Sequence, residues 1–336
     1  MSLKTYFLHP EEFELYYNCN TYKVEQIPLE NRTYPYRGAS FIVVAIILEL
    51  CYLPCIYAML QKRLRQQFVY KQMLLMSFGE MVDIVMHGIV VGIESISGDV
   101  YCVAPQRFYW FGVIELGFAY AQSAQLLILA LNRCLILVKP RLAQVLFGRT
   151  GGWAHAIAWS IPPFAISAFL SWIGPPVIFN PIKGSQFQNP HLGYLPDNEY
   201  YHTPQAFPIY TIGFIIAVPI MYGIFGIFLW RLLKQNSISM NNKKVRRETG
   251  TFVQVLISCV LCFIACLAYI IQQHYSEIDW LALTATFGYL MFQGSSAIIY
   301  LTMNRSIRLE IAMLADSFSS RIVPKHHPEL SVATCA

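Results

Sequence analysis

Seven long apolar stretches constrain this 336-residue chain more than any other feature. They cover 41–60, 73–96, 108–138, 153–179, 207–233, 251–271 and 280–303, and are called spans one to seven. A helix needs roughly 20 apolar residues to cross a hydrocarbon core about 30 Å thick. Lipid offers no partner to backbone N–H and C=O groups, so each span must satisfy them within itself. The alternating apolar and polar pattern of membrane barrel strands does not occur in the sequence, which leaves helices. Charged residues make up 13% of the chain, against about 25% in a typical soluble protein. The expected fold is all-α, a seven-helix transmembrane bundle.

Basic residues set the expected orientation. Eighteen of the 24 lysines and arginines fall at the inner ends of spans three and five (Arg133 and Arg231), in the loops after spans one, three and five, and in the tail after span seven. Loops rich in Lys and Arg stay in the cytoplasm, so the N-terminus is expected outside and the tail inside. The pI of 8.6 reflects this asymmetry and implies no nucleic-acid partner. No apolar leader precedes span one, so span one is expected to act as the anchor. The sequence divides into an outer segment 1–40, the bundle 41–303, a membrane-surface helix 304–320 and a disordered tail 321–336. In 304–320, Ile307, Ile311, Leu314 and Phe318 recur on one face, with Arg308 and Asp316 opposite. Asn31-Arg32-Thr33 is a glycosylation sequon on the expected outer side.

Six of the nine cysteines lie within spans. Cys259, Cys262 and Cys266 form a stripe on span six that reads as small packing residues, since no histidine joins them as a metal ligand. Cys19 and Cys102 are the two expected to meet the oxidising exterior. They are predicted to pair, two free thiols being the alternative. Cys335 sits wrongly for prenylation, palmitoylation being the alternative.

Polar residues inside the spans are costly in lipid, so they mark inward faces. On span two, Glu80, Asp83, His87 and Glu94 recur at intervals of three, four and seven, placing them on one helical face. Asp83 and His87, one turn apart, are expected to pair, with Glu49 of span one joining at mid-depth. The stripe reads as a bound-cation site, a proton-sensitive switch or a structural hydrogen-bonded network.

Arg133 near the inner end of span three is followed seven residues later by Pro140, which resembles the cytoplasmic end of the third helix in G-protein-coupled receptors. A narrower resemblance rests on "LALNRCLILVKPRLAQVLFG" (129–148), "YCVAPQRFYWFG" (101–112), "YLPC" (52–55), "LENR" (29–32) and "IYLTMNRSIR" (299–308). Together these resemble the nematode serpentine receptors of class T. That resemblance implies a chemosensory receptor for an external small-molecule ligand, coupled to a heterotrimeric G protein, in the plasma membrane and in sensory cilia. The chain departs from the wider receptor pattern. Asn132 replaces the usual acid beside Arg133, span six lacks a proline, and span seven ends in Met303-Asn304-Arg305 without Asn-Pro-x-x-Tyr.

The resemblance gives further residues expected roles. Arg133 is expected to pair with Glu248 at rest and to be released when span six moves; a snorkelling anchor is the alternative. Arg246 and Arg247 would contact anionic lipid or the G protein. Glu115 lies eighteen residues before Arg133, about 27 Å along the helix, where many amine-binding receptors carry an acid. With Trp110 above, Tyr120 below and Glu94 nearby, it would meet a cationic ligand, a polar-network role being the alternative.

Other classes fit less well. Span seven holds no lysine for a retinal Schiff base, and the histidines lack metal-ligand spacing. No cofactor is expected, and no loop is long enough for a catalytic domain, so an enzyme is not expected. A ligand-gated channel or transporter using the acidic stripe is the rival.

Overall fold

The computed structural model describes residues 2–148, 152–196, 201, 206–235, 243–276 and 278–322. Seven long helices form one bundle. Span one is Pro35–Leu60, span three Pro105–Val138, span four Trp153–Ile173, span five Ala206–Gln235, span six Lys243–His274 and span seven Asp279–Met303. Span two runs over Phe68–Ser97. Among the described residues, six helices are long and apolar enough to cross a membrane on length and composition; span seven is not one of them. Its polar side chains explain why. Thr286, Gln293 and Ser295 face the interior and are buried, so the helix lowers its own hydropathy in order to present hydrogen-bonding groups to its neighbours.

Most helices outrun their apolar stretches. Proline at the first helical turn starts spans one and three, where its missing N–H costs nothing. Span six begins at Lys243, so the basic run before its apolar stretch is already helical. Pro54, Pro162, Pro163 and Pro219 lie inside helices, which bundle neighbours make tolerable.

Span two is not a uniform α-helix. A π turn covers Val85–Val90 between α-helical Phe68–Ile84 and Val91–Ser97. Its wider step changes the angle between side chains before and after it. At the crossing of spans one and two, Gly92 carries no Cβ: one built there would lie 2.8 Å from the Gly38 carbonyl oxygen, and Gly38 mirrors it against Gly92. Small residues of this kind let helix backbones approach closely.

Two features cap the end of the bundle that holds Cys102. Short helices Leu3–Leu8 and Pro10–Tyr17 lie over spans three and four, and a disulfide joins Cys19 to Cys102 with Cα atoms 5.4 Å apart. Between spans four and five, strands β1 (Ile178–Asn180) and β2 (Ser185–Phe187) form an antiparallel hairpin pairing Ile178 with Phe187. All six strand residues are buried. Among the described residues the hairpin forms the one two-stranded sheet of a mainly helical fold. Arg37 of span one donates to the Pro181 carbonyl in its turn, where Gly184 has φ +73°, a left-handed conformation that glycine adopts without strain.

At the opposite, basic end, the helix after span seven is Arg305–Ile322, slightly longer than the expected 304–320. Asn304 caps it, its Oδ1 accepting from the Ser306 and Ile307 N–H groups at 3.1 and 3.2 Å. Ile307 is fully buried against Cys55, Ala58, Leu64 and Met73, and Ile311 packs at the edge of the same cluster. Leu314 is half-buried, while Arg308 and Asp316 are exposed. The Phe318 side chain and most of the tail lie outside the described residues. A further short helix, Pro140–Phe147, follows span three and buries Phe147 against Phe68 and Ala156.

Candidate functional site

Spans three, five, six and seven enclose a cavity of about 730 Å³ of empty space, openings included, beneath the hairpin. Its walls are largely apolar: Leu116 and Ala119 from span three, Phe214 from span five, Phe292 from span seven and Val177 from the hairpin's approach. Cys262 and Cys266 of span six also face it, with sulfurs 3.8 Å apart. The Cys259 side chain lies outside the described residues.

The polar edge of the cavity is built around Glu115, 6% exposed. His87 Nδ1 lies 2.5 Å from Glu115 Oε1. Gln186 Nε2, from strand β2, donates to both carboxylate oxygens at 2.6 Å. His87 Nε2 faces the Thr286 carbonyl at 3.2 Å and the Tyr269 hydroxyl at 3.1 Å. Tyr269 donates to Gln186 Oε1 at 3.2 Å, closing the ring. With Nε2–H donated to Thr286, one proton lies between His87 and Glu115, and the pair has no net charge whichever partner holds it.

Toward the basic end, Asp83 Oδ2 accepts from Gln122 Nε2 and Tyr289 Oη, both at 3.0 Å, and from Gln293 Nε2. Deeper again, Glu80 accepts from Ser296 Oγ at 2.6 Å and lies 2.9 Å from Tyr52 Oη. A second cavity, about 740 Å³ of empty space with its openings included, lies at the basic end and is lined by Glu80, Arg133, Ser296, Tyr300 and Asn304 among others. Gln122 and Phe292 line both cavities.

The four polar residues of the span-two stripe are all buried. Two expectations about them need correction. Asp83 and His87 do not pair, because the π turn begins between them and His87 meets span three one level nearer the hairpin. Glu49 does not join the network; its Oε1 is buried without a partner among the described residues. Glu94 lies apart from the ring, with Glu115 in a smaller pocket of about 260 Å³. Tyr120 lines the main cavity, but Trp110 does not. Trp110 is 37% exposed and lies edge-on to Tyr6 of the N-terminal segment.

Asn132 is buried, its Oδ1 without a partner among the described residues. Pro140 starts the short helix after span three. Arg246, Arg247 and Glu248 lie on the first turns of span six, but their side chains fall outside the described residues, so the expected Arg133–Glu248 pair does too. Asn31 ends a short 3-10 turn and is exposed. Gln186, Tyr269, Gln122, Tyr289 and Gln293 were not singled out from sequence. The signal available was the isolated glutamine in apolar surroundings, which a membrane helix carries only when a partner satisfies it.

The disulfide end has its own polar cluster outside the spans. His191, 2% exposed, presents Nδ1 to the Tyr22 hydroxyl at 3.0 Å and Nε2 to the Tyr16 carbonyl at 3.0 Å. Those partners fit a neutral ring with its proton on Nε2. Burial lowers the His191 pKa from 6.5 to about 4, against the weaker opposing pull of the Tyr16 carbonyl.

In overall shape, the chain is similar to squid rhodopsin in its crystal structure. The TM-score is 0.54 at 12% sequence identity, covering 84% of this chain and 87% of that one. This likeness is one of fold. Among curated proteins, no sequence matches. Residues 1–322 match the family described as serpentine type 7TM GPCR chemoreceptor Srt. The chain belongs to this family of seven-helix G-protein-coupled receptors.

Proposed function

We propose that the chain is a chemosensory receptor of the plasma membrane, with its N-terminus outside, that reports an external small molecule to a heterotrimeric G protein. The observation that carries the reading is the shared wall. Gln122 and Phe292 border both the cavity under the hairpin and the cavity beside Arg133. A ligand that shifts them in the first changes the shape of the second, which is the differential contact a population shift requires. Between the two cavities the Asp83 and Glu80 hydrogen bonds tie spans one, two, three and seven together. Span six contributes Tyr269 to the ring and Ser258 to the second cavity, so its movement would be felt at both ends.

The test is nucleotide exchange. The purified full chain in lipid nanodiscs should accelerate GTP loading of a heterotrimeric G protein when an active odorant is added. Asp83→Asn keeps one oxygen to accept from the three donors but removes the carboxylate and puts an amide N–H2 in place of Oδ1, which has no partner among the described residues; it should alter that acceleration at unchanged expression. A ligand-dependent ionic current with no G protein present, and no exchange with one, would replace this reading by the channel.

A further inference from the structure

We propose that the short helix Leu3–Leu8 is a bilayer anchor, and that Phe7, Leu8, Trp110 and Trp172 form one patch seated in the headgroup–acyl boundary of the outer leaflet. Only the choice of leaflet rests on the orientation proposed above; the contact itself does not.

Trp110 was expected above Glu115, yet it lies outside the cavity wall. What it meets instead is the N-terminal helix. The Phe7 ring lies 6.3 Å from Trp110 and 6.4 Å from Trp172, within 14° of parallel to the latter. The three rings make one cluster, and nothing within the chain covers it. Phe7 is 57% exposed, Trp110 37% and Trp172 38%, with Leu8 beside them at 58%. The helix is held from its other side. Tyr6 stacks on Tyr109 at 5.2 Å, and the segment that follows is tied down by the Cys19–Cys102 disulfide. Side chains of this size gain from leaving water, so a fixed open patch of them calls for an apolar cover.

Two observations identify that cover as lipid. The patch is continuous with the surface that the membrane-crossing helices turn outward. Ile114, one turn below Trp110, and Phe169 and Ile173, beside Trp172, are all exposed on spans three and four. Depth agrees as well. Span three has 34 residues and is therefore about 51 Å long. Centred on a core about 30 Å thick, it extends about 10 Å beyond each side. Trp110 sits five residues from its start at Pro105, about 7 Å down the helix, hence at the edge of the hydrocarbon. Span four has 21 residues, about 31 Å, so Trp172 at its end reaches the same level. Tryptophan gathers at this boundary because its ring is apolar and its N–H is polar. Lys4, exposed one turn before Phe7 and Leu8, is placed to reach phosphate.

The test puts a photoreactive side chain at the patch, Phe7→p-benzoylphenylalanine, in the full chain reconstituted in phosphatidylcholine vesicles. Asn20→p-benzoylphenylalanine is the control, since Asn20 is exposed on the segment that passes over the hairpin, where Tyr22 meets His191. After irradiation, mass spectrometry should find phospholipid adducts at residue 7 in excess of those at residue 20 by about tenfold. A second measurement leaves the N-terminal helix native. The fluorescence of Trp172, taken as the difference between the chain and Trp172→Phe, should be quenched more by phospholipid brominated near the carbonyl end of its acyl chains than near the methyl end. Equal adducts at the two positions, crosslinking of residue 7 to a second copy of the chain in place of lipid, or stronger quenching by the deep bromine overturns the proposal. Neither readout involves a ligand or a G protein, so a chain that anchors in this way but drives no nucleotide exchange keeps this proposal and removes the receptor reading.

Discussion

His191 shows how one side chain ties the N-terminal segment to the rest of the molecule. Its two nitrogens meet Tyr22 and Tyr16, both from the segment that the disulfide anchors at Cys102. In the folded chain its pKa falls to about 4, below the ordinary 6.5. Between those values the unfolded chain binds the extra proton and the folded chain does not, so stability falls as pH drops through that window and is fully present above it. Complete protonation would cost roughly 3 kcal/mol at most. The expected outcome is a melting temperature that declines from about pH 6.5 toward pH 4, and a flatter profile in His191→Gln, whose amide can still bridge the two partners. Equal pH profiles for both chains would show that the titration lies elsewhere. The span-two stripe was legible because the cost of burying charge is local and helical spacing is regular. The roles within the stripe were not, since Glu115 is satisfied by Gln186, 71 residues away in a folded-back loop. Hydrophobic periodicity carries no record of such a pairing.

At the scale of elements, the hairpin and the π turn do most to place the site, and neither has a strong sequence signature. Strands of three residues are shorter than the usual strand, and the π turn differs from α-helix by a single residue in its step. Span three makes room for the hairpin at Gly112, where a Cβ would fall on the Val177 carbonyl oxygen. Gly112→Ala therefore sets two effects against each other. Helix propensity favours alanine by up to about 1 kcal/mol, whereas pushing against a backbone carbonyl costs about 1–3 kcal/mol. The collision should win, lowering the melting temperature and weakening ligand binding as the roof shifts. Gly223→Ala on span five is the counterpart: a Cβ there meets nothing within 4 Å, so propensity alone acts and the melting temperature should rise. If both substitutions moved the melting temperature in the same direction, close contact at Gly112 would not be what limits it.

For the whole molecule, the seven apolar stretches were the most legible feature, because each span solves its backbone hydrogen bonding within itself and needs no distant partner. Orientation rests on a different physical term, the retention of lysine and arginine on the cytoplasmic side. The bundle collects those residues at one end. Lys62, Arg63 and Arg65 follow span one, Lys139 and Arg141 follow span three, and Arg305 and Arg308 begin the terminal helix. Arg63 lies 3.5 Å from Glu310, so the first basic loop and the terminal helix share that face. The disulfide and the sequon at Asn31 share the other. An odd number of crossings must then put the two termini on opposite sides. Epitope tags should be reached by antibody on intact cells at the N-terminus and only after permeabilisation at the C-terminus. Neutralising Arg63, Arg65, Lys139 and Arg141 together should erode that asymmetry, since each removes part of the bias. Two tags on the same side would require an even number of crossings and end the seven-crossing reading, whereas an N-terminal tag reached only after permeabilisation would turn the hairpin end, and the cavity beneath it, toward the cell interior and end the reading of an outward-facing receptor.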